Sequence, residues 1–201
     1  MKAKEVYQRF AIPQNLQEHM LRVTRVEMMI IDGWKTKIDK SRVIRAGLVH
    51  DLANIVKFKL DKDSELVPLQ KIIIEKYGND DHIATEKMLI ELDLDKELIE
   101  IVQMKSFGNA IEVAHSDNWP LKILFYSDMR VMPTKVDSLD NRLNDVVTRL
   151  EKYRNHPQKD KLIQSAHEVE KQIQKMTNTN LLEITDSVVS VNLSDLLEIE
   201  I

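Results

Sequence analysis

From Pro13 to Gly33 the chain reads PQNLQEHMLRVTRVEMMIIDG, and this stretch sets the terms for the rest. Leu16, Met20, Val23, Val26 and Ile30 recur at intervals of three and four, the period of one face of an α-helix. Pro13 suits a first helical position and Asp32-Gly33 a stop. One polar residue, His19, interrupts the stripe at helical spacing from Leu16 and Val23, and so faces the core side.

The same period runs outward along the chain. Ser41 is placed to cap a second helix through Ile44, Leu48 and Leu52. A third runs from about Glu65 to Tyr77 and ends at Gly78. Asp80 or Asp81 caps a fourth beginning near His82, and Asp95 a fifth carrying Leu98, Ile99, Ile101 and Val102. Ser106 to Asn118 reads as the longest loop of the body, and Trp119-Pro120 opens a sixth helix reaching about Met132. Leu139, Leu143, Val146, Leu150 and Tyr153 form one near-heptad seam; Leu162, Ala166, Val169, Ile173 and Met176 form another. The turn Asn155-His156-Pro157 between them predicts an antiparallel helical hairpin. Beyond Leu181 the signals conflict: Val188, Val189 and Val191 have strand propensity, while Ser194 suits a helix cap. The fold expected is all-α, with a core over 1–133, a hairpin over 134–180 and an acidic, apolar tail over 181–201. That tail either docks on its own core, swaps into a second copy to make a homodimer, or stays mobile.

Composition narrows the chemistry. With 43% hydrophobic and 31% charged residues among 201, the chain is globular rather than disordered. It has no cysteine, which removes thiol nucleophiles, iron–sulfur clusters and Cys-type zinc sites. Its four glycines are scattered, so neither a dinucleotide fingerprint nor a P-loop can be built. No apolar run approaches the ~18 residues of a membrane span, and the first residues lack a signal-peptide pattern, so a cytoplasmic protein is expected. The net charge of −4 comes largely from the tail, and the nearly neutral body offers no basic face for duplex nucleic acid.

Polar residues on apolar helix faces mark the site. Asp51 follows Ile44 and Leu48 at helical spacing, and Asp128 follows Leu121 and Leu124 in the same way. A buried carboxylate needs a partner, a proton or a metal. Two of them, with a core-facing His19 and a His50 adjacent to Asp51, point to one shared divalent cation; an ion pair with Arg22 or Arg45 is the alternative.

Three segments then carry a resemblance: Glu18-His19-Met20-Leu21-Arg22-Val23, Gly47-Leu48-Val49-His50-Asp51-Leu52-Ala53 and Phe125-Tyr126-Ser127-Asp128. Their order, a histidine, a His-Asp doublet and a distant aspartate, resembles the HD-domain superfamily of metal-dependent phosphohydrolases. The resemblance implies that His19, His50, Asp51 and Asp128 hold one divalent transition metal (Mn, Fe, Co, Ni or Zn), a mixed nitrogen–oxygen shell being ill suited to Mg. Some relatives hold a second metal through two more histidines. His82 resembles the first of these; where the second belongs this chain has Lys105, whose ammonium would repel a cation, and His115 is the only substitute in the right order. Many relatives also carry Lys or Glu three residues after the doublet, where this chain has Asn54, which orients water but is no general base. Arg22, Lys122 and Arg130 are the cations expected to bind a phosphate, with Lys57 behind them. The function implied is hydrolysis of a small phosphate ester or anhydride, nucleotide-like, with Asp51 and Asn54 at the reacting water. A non-catalytic nucleotide-sensing module and a di-iron oxygenase are the alternatives, and Lys105 counts against the second.

Overall fold

The stripe around Met20 becomes the central helix of the molecule. In the computed structural model, which describes residues 1–201, this helix is α2 (Gln14–Asp32), preceded by a short α1 (Ala3–Arg9). There follow α3 (Lys40–Val49), α4 (Val67–Tyr77), α5 (Asp81–Glu91), α6 (Lys96–Met104), α7 (Ala110–His115), α8 (Trp119–Asp128), α9 (Leu139–Arg149), α10 (Glu151–Arg154), α11 (Lys159–Met176) and α12 (Asp186–Val189). There are no strands, only isolated bridges between single residues. The fold is all-α, as the periodicity predicts.

Helix starts follow the side chains able to cap them. Asp80, Asp95, Asn118 and Ser138 each accept a hydrogen bond from the backbone amide three residues on. The second predicted helix begins two residues early, because Asp39 rather than Ser41 caps it, taking the Arg42 amide at 3.0 Å. It also ends early, at Val49, where the His50 ring donates to the Gly47 carbonyl at 2.8 Å. The expected long loop after Ser106 is instead a 3-10 turn and α7, whose Ala110, Val113 and Ala114 are buried.

Packing places α2 against α3 and α8, with α6 closing on α3 and α8. Met20, Val23, Val26 and Ile30 are fully buried there, together with Val43, Leu48, Ile123 and Leu124. The second near-heptad seam does not pair only with the first. Leu162, Ala166, Val169 and Ile173 are buried on α11, which packs chiefly on α7 and α8 and only lightly on α9. One apolar cluster runs through all of this, from Ala3 to Leu196. At roughly 1.5–3 kcal/mol per buried large apolar side chain, it is the main source of stability.

The tail docks on its own core. It makes a turn at Leu181–Glu183, then α12, then a 3-10 stretch over Leu193–Glu198 that buries Leu196 beside α1 and α2. Lys2 and Glu200 form an antiparallel bridge, and Lys2 and Lys4 both reach Glu198, at 2.9 and 2.7 Å. Just past the C-terminus of α2, Trp34 meets Trp119 edge to face with ring centroids 5.2 Å apart.

Candidate metal centre

Two helix ends and one helix interior come together. α2 contributes His19 from its second turn, the C-terminus of α3 contributes His50 and Asp51, and the last residue of α8 is Asp128. His19 Nε2 lies 3.2 Å from Asp128 Oδ1, 3.4 Å from His50 Nε2 and 3.7 Å from Asp51 Oδ2. His50 Nε2 lies 3.8 Å from both Asp51 Oδ2 and Asp128 Oδ1. Ligand atoms about 2.1 Å from one ion stand roughly 3.0–3.4 Å from one another, so His19, His50 and Asp128 close on an ion with shifts of a few tenths of an ångström, while Asp51 must move further to join them. His19, His50 and Asp128 alone form a set within mutual reach of 4.8 Å.

The ring nitrogens are arranged for coordination. His50 Nδ1 carries the proton that it donates to Gly47, which leaves the Nε2 lone pair facing the cluster. Burial lowers the His50 pKa to about 4 against the pull of Asp51, so the ring is neutral at physiological pH. Asn54 begins the following 3-10 turn and donates from Nδ2 to Asp51 Oδ2 at 2.6 Å. Its own Oδ1 is buried without a partner. The donor set and these free lone pairs fit a divalent transition ion.

The fifth member is Lys105, at the C-cap of α6. Its Nζ donates to Asp51 Oδ1 at 2.7 Å and stands 3.6 Å from Asp128 Oδ2. Burial disfavours the charged forms of all three, yet their mutual attraction prevails: both carboxyls are held below the usual range and the ammonium above its ordinary value. Asp51 is therefore half of a buried ion pair, but its partner is neither Arg22 nor Arg45. Two carboxylates against one ammonium leave the cluster one charge negative, a deficit a cation would fill.

The other expected residues separate. His82 is 39% exposed in its side chain and lines a narrow cleft with His50, Asp51, Asp81, Thr85, Gln103 and Lys105. The cleft holds about 10 Å³, room for roughly one water. Arg22 keeps one ion pair, to Glu18 at 3.3 Å, and its Nε is buried without a partner. Lys122 and Arg130 are not brought to the cluster. Lys122 bonds the Ala114 carbonyl and Gln172, while Arg130 is buried among the Tyr126 hydroxyl and the carbonyls of Asp137, Leu181 and Ile184. The Lys122 side chain reaches toward α7 and α11, and Arg130, past the end of α8, toward the tail; spacing alone does not report either direction. Lys57 pairs with Asp81 at 2.7 Å. His115 lies in a surface groove, a mixed-charge trough between α7 and α11, and so does not complete the cluster.

One buried group escaped the sequence reading. Glu27 on α2 is fully buried, neither carboxylate oxygen has a partner, and burial followed by the Asp128 charge pushes its pKa well up. It lies against Gly47; a methyl there would overlap its carboxylate and come within 2.7 Å of Thr24 Oγ1. Its place four residues after Val23 and three before Ile30, within the stripe, was the available signal.

Two buried histidines and an aspartate from three helices, with a second aspartate beside them, form a group between helices that could hold a metal ion. Residues 5–57, about a quarter of the chain, match the family model described as an HD domain, which supports a place for this segment in the HD-domain superfamily. No curated protein and no solved structure matches it. The match covers His19, His50, Asp51 and Asn54; Lys105 and Asp128 lie beyond it and rest on geometry. No helix is long and apolar enough to cross a membrane.

Proposed function

We propose that this chain is a metal-dependent phosphohydrolase acting on a small phosphate ester or anhydride, nucleotide-like in size. The observation that carries this reading is the convergence of two imidazole Nε2 atoms and the Asp128 carboxylate on one buried point, with Asp51 beside the histidines. His19, His50, Asp51 and Asp128 would hold the ion; when bound, it supplies Lewis acidity toward a phosphoryl oxygen and an acidified water. The chain's own part is positional. Asp51 and Asp128 stay ionised under the Lys105 charge, and His50 stays neutral. Asn54 Oδ1 is a free acceptor for a water beside Asp51, and Arg22 is the cation one turn from His19 with donors to spare.

A phosphate-release screen over nucleoside mono-, di- and polyphosphates, with Mn, Co or Ni and with a chelated control, tests this. Turnover of at least one substrate class should vanish with chelator and in Asp128→Asn. A second reading is favoured by Asn54, whose amide is engaged with Asp51 and cannot act as a base: a module that binds a nucleotide without turning it over. Saturable nucleotide binding with no product under every metal would select it.

A further inference from the structure

Each carboxylate of the cluster serves two positions. Asp51 turns Oδ2 to the two histidines, at 3.7 and 3.8 Å, and Oδ1 to Lys105 Nζ at 2.7 Å. Asp128 turns Oδ1 to the same histidines, at 3.2 and 3.8 Å, and Oδ2 to Lys105 at 3.6 Å. Paired carboxylates that bridge two points in this manner hold two positive charges side by side. Here one of those points is taken by an ammonium that belongs to the chain.

We propose that Lys105 is a built-in second cation, which limits the centre to one metal ion per chain and confines that ion to the histidine side. The inference rests on the metal-centre reading above. Three observations support it. Lys105 is only 9% exposed, so its ammonium cannot swing into solvent without leaving Asp51 and Asp128 buried and unneutralised. The cleft beside it has space for about one water and none for a hydrated ion. Around that cleft stand Asp81, His82, Thr85 and Gln103, oxygen and nitrogen groups of the kind a metal would take up if the ammonium were gone.

Unlike a metal, an ammonium does not exchange and is not stripped by chelators. It brings three N–H donors and one charge where a second divalent ion would bring two charges and open coordination positions.

The test counts ions. Wild type, Lys105→His and Lys105→Met are stripped with chelator, titrated with Mn(II) and desalted, then assayed by elemental analysis and electron paramagnetic resonance. Wild type should retain one Mn per chain with the six-line signal of an isolated ion. Lys105→His, which trades the ammonium for a ligand, should retain two, with the broadened signal of a coupled pair. Lys105→Met should bind its first Mn at least tenfold more tightly, because a repelling charge is gone and both carboxylates remain. Should Lys105→His not fold, the affinity of Lys105→Met decides. Two ions in wild type, one ion in folded Lys105→His, or unchanged or weaker binding in Lys105→Met would each overturn the proposal while leaving the metal centre standing. No Mn in wild type would remove the metal reading and this proposal together.

Discussion

His50 is the residue on which the centre's protonation turns. Its neutral form is favoured by burial, which lowers its pKa to about 4 from the ordinary 6.5. The unfolded chain therefore takes up a proton first as pH falls, and folding stability is lost between about pH 6.5 and 4. The span corresponds to roughly 3 kcal/mol. Denaturant titrations of metal-free protein across that range should show this decline, and His50→Gln should flatten it; an equal slope in both would mean that another group carries it. His50 and Asp51 were legible because they close an apolar helical segment, and His19 and Asp128 because each interrupts one. Lys105 was legible as a departure from a pattern, but not as Asp51's partner. That contact depends on how the end of α6 approaches the end of α3, which no local period encodes.

Among the elements, the strap formed by the tail has the most specific anchor. Arg130, two residues past α8, is buried and gives its guanidinium to the carbonyls of Asp137, Leu181 and Ile184. It ties the end of the metal-bearing helix to both flanking segments. Arg130→Met keeps much of the stem and strands these carbonyls, at a cost of roughly 3–5 kcal/mol when two buried acceptors and a part-buried one lose their donor. Limited proteolysis should then cut between residues 181 and 201 well before the wild type is cut, and Mn binding should persist. Loss of Mn with an intact tail would place Arg130 in the site after all. The helices themselves were readable wherever a cap preceded a long stripe, as at Asp80 and Asp95. The six-residue α7 was not, because so short a segment has less than two turns of pattern, and its burial comes from α11, fifty residues away. The tail's conflicting propensities were settled by tertiary contact, with Leu196 seated beside α1 and α2.

For the molecule as a whole, the Lys105 ion pair alters what metal removal should do. Without it, two carboxylates would face each other unneutralised in the stripped protein; with it, one net negative charge remains. Chelation should therefore lower the melting temperature by several degrees and leave the helical circular-dichroism signal unchanged at room temperature. An ion present at about 100 times its Kd adds roughly 2.7 kcal/mol, and in a domain of this size each kcal/mol is worth roughly 2–4 °C. Collapse of the helical signal on chelation would mean that the ion, not Lys105, holds the cluster together. The instrument for following such changes is decided by the aromatic pair at the far end of α2. Trp34 and Trp119 are the only tryptophans, and they touch. All indole emission thus comes from one address, roughly 20 Å along α2 from His19 at 1.5 Å per residue. An optical change on adding metal would be a message relayed down the helices, and near-ultraviolet dichroism would carry the exciton signature of two coupled rings rather than of the centre itself.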